Sequence, residues 1–329
     1  MMTIDEIPCA SSVDGTAPLV ADAAYTPNGT PKPLVAVMHG YSGGRTAVAK
    51  DLRDFAARGL FAIAPDMRGR GDSAGKWDSG GLDVHDIVDG ILAAIREFPR
   101  EIDANNISIV GYSGGGGNCF AAMTRFPDLF HVVAPFFGIS DYGLWYETCG
   151  REDCNRVMVE TLGGTPEEIP DVYLARNACL AAGNNGASKL HIFWDEEETQ
   201  CPPVLNENFI AAYHAAGHSN AAAHISRVGD EYRWRHGYRV DNPMLEAADD
   251  IICDEVFSPP PDLSLPLTGT LTVCGYLVTR HFQVVVEDGQ RGAVEVGYDL
   301  RGPEPVVDVL SNPGEWSVSV SPDSPLSLH

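Results

Sequence analysis

No C-x-x-C pair and no regular histidine spacing accompany the eight cysteines of this 329-residue chain, so a structural zinc site is not expected. No motif asks for another metal or an organic cofactor. No run approaches the ~18 apolar residues of a membrane span. The start, Met1 to Cys9, carries Asp5 and Glu6 where a secretory signal would have a basic residue and an apolar stretch. These absences lead us to expect a soluble protein without a membrane partner, cytoplasmic by default. Basic residues are scarce: 22 Lys and Arg stand against 46 Asp and Glu, a net charge of −24. Such a surface repels phosphate backbones and argues against nucleic acid as a partner. Cys149 and Cys154 are close enough to clip a loop in an oxidising compartment; with no leader, free thiols are the default.

What is present is enough apolar residue, 44% of the chain, to fill one domain and leave material over. Short β-branched and aromatic runs at Leu34 to Met38, Leu60 to Ala64, Ile107 to Val110, Val132 to Phe137, Leu190 to Trp194 and Ala222 to Val228 read as buried strands. Helical patterns separate them at Thr46 to Arg58, Leu82 to Phe98, Gly115 to Phe126 and Val204 to Ala216. A final helix runs from an Asn242 cap and Pro243 to about Val256. Strand alternating with helix predicts an α/β fold, a mostly parallel sheet with helices on both faces. Residues 140–188 are far too long for a simple connection and should form an inserted helical cap. The proline-rich hinge Ser258 to Pro261 then divides a catalytic domain, 1–257, from a small all-β domain, 258–329. In the latter, Leu271 to Thr279, Phe282 to Glu287, Ala293 to Leu300 and Val306 to Leu310 read as strands. This domain has three open uses: binding a polymer, contacting the catalytic domain, or building a homo-oligomer.

Ser113 sits in Gly111-Tyr-Ser-Gly-Gly115, a G-x-S-x-G motif straight after a buried strand and directly before a helix. A turn that tight strains the serine and leaves no room for side chains at Gly111 and Gly115, so the hydroxyl stands out as a nucleophile. No lysine follows the glycines, which argues against a phosphate loop. The negative charge of an acyl-transfer transition state needs amide donors. Gly114, after the nucleophile, and Tyr41, in His39-Gly-Tyr-Ser-Gly-Gly44 after an earlier strand, are placed to supply them. His39 is read as ordering that loop.

Serine needs a base oriented by an acid, in the chain order Ser, acid, His. His236 lies in a loop after the strand that ends near Val228 and is the best-placed base; His224 falls within that strand. Four consecutive carboxylates, Asp195 to Glu198, follow the preceding strand, and Asp195 and Glu198 are the candidate acids.

At these residues, over Pro33 to Val256, the chain resembles α/β-hydrolases of the prolyl-oligopeptidase-like and X-Pro-dipeptidyl-peptidase-like groups, which include many acyl and acetyl esterases. Pro65-Asp-Met-Arg-Gly-Arg-Gly-Asp-Ser-Ala-Gly75 is similar to their R-G-x-G-x-S-x-G loop, with Asp66 and Arg68 as structural anchors. Glu198 precedes Pro202 by the interval such hydrolases commonly keep between acid and proline, so the resemblance prefers Glu198 over Asp195. Two departures put general ester chemistry ahead of peptide cleavage. Gly114 stands where the X-Pro group places tyrosine, and 258–329 is far smaller than that group's β domain. The expected enzyme is a serine esterase for a small-molecule or polymer ester, with a peptidase on the same machinery as alternative and a non-catalytic scaffold behind both. Tyr142, Trp145 and Tyr146 open the cap and are candidates for the substrate pocket.

Overall fold

The computed structural model describes residues 1–236 and 243–326. The chain opens with a hairpin, β1 (Thr3–Cys9) and β2 (Leu19–Tyr25), followed by β3 (Lys32–Met38), α1 (Ala49–Ala57), β4 (Phe61–Pro65), α2 (Leu82–Glu97), β5 (Ile102–Tyr112), α3 (Gly114–Arg125) and β6 (Val132–Phe136). The insertion holds α4 (Tyr142–Thr148), α5 (Glu152–Leu162) and α6 (Pro170–Leu174). Next come β7 (Lys189–Asp195), α7 (Pro203–Ala215), β8 (Ala221–Ser226) and α8 (Pro243–Phe257). The Asn242 cap expected for α8 lies outside the described residues.

Eight strands pair in the order β1-β2-β4-β3-β5-β6-β7-β8, parallel from β4 to β8 and antiparallel where β1 and β2 join. β4 and β6 are buried along their whole length, as uninterrupted apolar runs covered by helices on both sides must be. The first two strands escaped sequence detection for opposite reasons. β1 buries only Ile7, while β2 is alanine-rich with Asp22 at its centre, so neither carries a clean β pattern. Register aligns Met38 with Gly111 and Tyr112 with Phe136, bringing the carboxyl ends of β3, β5 and β6 to one rim. In open α/β sheets the binding crevice forms at that rim.

The cap's first helix is started by Asp141, whose side chain accepts from the amides of Gly143 and Leu144. Beyond the hinge, β9 (Thr268–Cys274), β10 (Tyr276–Val278), β11 (Gln283–Val286), β12 (Ala293–Asp299), β13 (Val306–Ser311) and β14 (Val318–Ser321) form two three-stranded antiparallel sheets. They enclose a separate core around Val273, Leu277, Phe282, Val284 and Val296. The expected strand Leu271 to Thr279 is broken at Gly275, which takes φ +74° where a Cβ would come within 2.4 Å of the Gly289 carbonyl. Arg125, at the end of α3, fixes this domain to the rest. Its guanidinium donates to the carbonyls of Gly80, Gly81, Ala175 and Cys274, and lies 4.7 Å from the centre of the Tyr276 ring.

Candidate active site

Ser113 lies between β5 and α3 with φ +59° and ψ −117°, a backbone conformation that L-residues rarely hold. Its amide donates to Phe136 O at 2.9 Å, tying the turn to the neighbouring strand. The glycines around it are sterically required: a Cβ at Gly111 would lie 2.2 Å from Gly115 O, and one at Gly115 2.4 Å from Met38 O. At Gly114 a Cβ would fall 2.7 Å from Tyr41 N, so the loop after β3 is packed directly on the first residue of α3. That contact brings the Tyr41 and Gly114 backbones together beside Ser113.

The Tyr41 loop is pinned from several sides. Tyr41 OH and Ser79 Oγ are 2.8 Å apart, and Arg70 Nε donates to Tyr41 O at 2.6 Å. His39 is fully buried; its Nε2 takes the Met67 amide at 3.1 Å, and Nδ1 is 2.8 Å from Gly40 O. Burial pushes its pKa down to about 4, so it is a neutral spacer within the loop. Trp145 and Tyr142 are each 2% exposed. Trp145 packs edge-on to Tyr41 at 5.1 Å and donates Nε1 to Gln200 O, while Tyr142 packs edge-on to Trp145 at 5.9 Å.

On the other side, His236 Nδ1 is 2.9 Å from Glu198 Oε1 in a bent arrangement, and its own amide donates to Glu198 Oε2 at 3.1 Å. Burial acts to raise the Glu198 pKa. The bonds from His236 and from the Gln200 amide outweigh it and hold the carboxyl below its ordinary value. Asp195 is engaged elsewhere: its fully buried carboxylate takes a two-pronged contact from Arg233, at 2.5 and 2.6 Å, and the Ser226 hydroxyl at 2.7 Å. Glu198, not Asp195, is thus in reach of His236. The His236 ring also lies 4.3 Å from that of Phe137, a residue at φ +38° just past β6.

Cys201 joins the two sides. Its sulfur is 3.6 Å from Ser113 Oγ and 3.9 Å from His236 Nε2, and burial pushes the thiol far above its ordinary pKa, so it stays protonated. Sequence reasoning missed both Cys201 and Phe137. The available signal for Cys201 was its place three residues after Glu198 and directly before Pro202.

The sequence profile of the prolyl oligopeptidase family matches residues 47–184, which include Ser113 and most of the cap and end before Glu198 and His236. A Bacillus subtilis (strain 168) protein, named uncharacterized peptidase YtmA, is 31% identical over 122 residues, 36% of this chain and 45% of that one. Among solved structures, a Mycobacterium tuberculosis puromycin-hydrolyzing peptidase superposes with a TM-score of 0.63 at 21% identity, over 78% of this chain and 39% of that one. An acetyl xylan esterase from Paenibacillus sp. R4 gives 0.52 at 20% identity, over 77% and 84%. Over residues 47–184 the chain thus matches the prolyl oligopeptidase family, and its architecture is that of the α/β-hydrolase fold.

The match with the curated relative spans less than half of that relative's length. The loop after β4 that resembles the family's glycine-rich segment is an ionic anchor. Asp66 accepts from the Arg45 and Asp72 amides at 2.6 and 3.0 Å, and Arg68 grips Asp86 through two contacts of 2.6 and 2.8 Å. Among the described residues no helix is long and apolar enough to cross a membrane.

Proposed function

We propose that the chain is a serine hydrolase of peptidase type, cleaving an acyl–nitrogen bond through a covalent acyl-enzyme. Ser113 Oγ attacks the carbonyl carbon, and His236 Nε2 takes the serine proton and hands it to the departing amine. Glu198 holds the His236 ring and favours the imidazolium. The Tyr41 and Gly114 amides donate to the oxyanion, worth roughly 3–4 kcal/mol each in such sites. Water activated by His236 then releases the acid and frees Ser113.

The observation that carries the reaction class is the convergence, across Cys201, of a strained Ser113 with a His236 paired to Glu198. What supports an amide substrate is the prolyl oligopeptidase profile and the peptidase name of the curated relative. That reverses the order expected from sequence, where ester cleavage came first. Ester hydrolysis is the second reading, because the same residues serve it and an alkoxide leaves more readily than an amide nitrogen.

A series of peptide p-nitroanilides, with proline, phenylalanine and alanine before the bond, run beside short p-nitrophenyl esters in wild type and Ser113→Ala tests this. Anilide turnover that vanishes in Ser113→Ala is the expected result. Turnover of esters alone gives the second reading the lead. Folded wild-type protein that turns over neither and resists fluorophosphonate labelling overturns both.

A further inference from the structure

Arg70 takes part in none of the steps above, and its setting differs from that of every other arginine of its loop. Arg68 and Arg45, packed on the same segment, are each paired with carboxylates. Arg70 is 3% exposed and has no carboxylate within ion-pair distance among the described residues. Nε is spent on Tyr41 O at 2.6 Å, whereas Nη1 and Nη2, both buried, have no hydrogen-bond partner among the described residues. Two aromatic faces stand where a counter-ion would be: the guanidinium carbon lies 4.2 Å from the centre of the Trp77 ring and 5.1 Å from that of Tyr41. The rings themselves meet edge to face at 5.6 Å. Asp83 senses Arg70 only at longer range: burial and then Asp78 raise its carboxyl to about 7 against the pull of Arg70.

A buried cation that rests against π faces with no carboxylate at ion-pair distance is costly to keep unless the charge is used. Its one directed bond runs to the main chain of the residue whose amide faces Gly114. We infer that Arg70 is a positioning residue for acyl transfer: its Nε clamps the Tyr41 main chain so that the Tyr41 amide stays aimed at the oxyanion, and its charge, which no carboxylate meets at ion-pair distance, favours the negative charge that develops there. This rests on the function proposed above. Ground-state substrate carries no such charge, so the contribution falls on the chemical step and not on binding.

The test compares wild type, Arg70→Lys and Arg70→Met with the substrate that wild type turns over. Affinity for a trifluoromethyl ketone, which adds to serine as an oxyanion, is measured alongside. For Arg70→Met we expect kcat to fall about 30-fold, less than for loss of a direct donor, with KM within about twofold and ketone affinity falling in proportion to kcat. Arg70→Lys keeps the charge and recovers part of the loss. Should Arg70→Met fail to fold, Arg70→Gln, also neutral, carries the same comparison. Unchanged kcat in the neutral variant, or a rise in KM with kcat intact, overturns the inference. An inactive wild type would instead sink the proposed function, so the two failures are distinguishable.

Discussion

Ser113 and His236 lie on either side of the Cys201 sulfur, yet they are held there by different means. Around Ser113 the backbone does the work: Gly111, Gly114 and Gly115 let β3, β5 and α3 approach so closely that no side chain fits between them. Around His236 the work is done by charge. Glu198 takes the ring and the amide of His236, while Asp195 and Glu197 hold Arg233 three residues earlier. Steric fit tolerates almost no substitution and little depends on pH; paired charge tolerates shape changes and depends on every proton. A site built this way has one side that fails by unfolding and another that fails by titration.

The largest effect should come from attacking the close-packed side. Gly115→Ala places a methyl 2.4 Å from Met38 O, a backbone atom with nowhere to retreat. It should cost about 3 kcal/mol or more, read by urea denaturation as a lower midpoint or as loss of soluble protein. Next comes the split within the charged side. Glu198→Gln should lower kcat by about 10⁴-fold while lowering Tm only modestly, as expected for loss of the group that orients a catalytic histidine. Asp195→Asn should do the reverse, lowering Tm through the loosened Arg233 while kcat stays within about threefold. If Asp195→Asn matched Glu198→Gln in kcat, the division of labour between the two carboxylates would be wrong.

Acid titration sharpens the contrast. The folded pKa of Glu198 is depressed, so its stabilisation is present above the ordinary carboxylate range and is lost as pH falls through the folded value. Thermal melts below pH 4.5 should therefore drop less steeply in Glu198→Gln than in wild type. The smallest effect is expected far from the site, at Asp249 on α8. Burial, with the charges of Asp51 and Asp54 added, raises its pKa to about 7 against the pull of Arg58. A raised carboxylate contributes stability that is fully present below about pH 3.8 and lost as pH climbs through 7. Asp249→Asn should thus raise Tm modestly at pH 8 and leave it alone at pH 3.5.

The same contrast governs what could be read from the sequence. G-x-S-x-G with its flanks is a local pattern, so Ser113, Gly114 and the loop bearing Tyr41 were legible, as was the alternation that gives β3 to β8 and their helices. The protonation state and place of Cys201 are not local, because its neighbours in space are 88 and 35 residues away in sequence. Among Asp195 to Glu198 the residues alone left the acid open. Only the fold shows that Arg233 occupies one carboxylate and leaves the other to His236. Arg70 was illegible for a related reason: a cation without a counter-ion looks, in sequence, like any other arginine in a charged loop. β14 was missed because Val318-Ser-Val-Ser321 is short and its apolar face slight.

Arg125 carries one more consequence, for anyone wishing to trim or graft this chain. Four carbonyl acceptors from three separate stretches converge on its guanidinium, and one of them, Cys274 O, together with the Tyr276 ring, belongs to the β domain. A cut at the proline hinge would strip that acceptor and that ring from the end of the helix that begins next to Ser113. The small domain is therefore not a detachable cassette, and a shortened chain would have to replace what Arg125 loses before its nucleophile could be expected to stand where it does now.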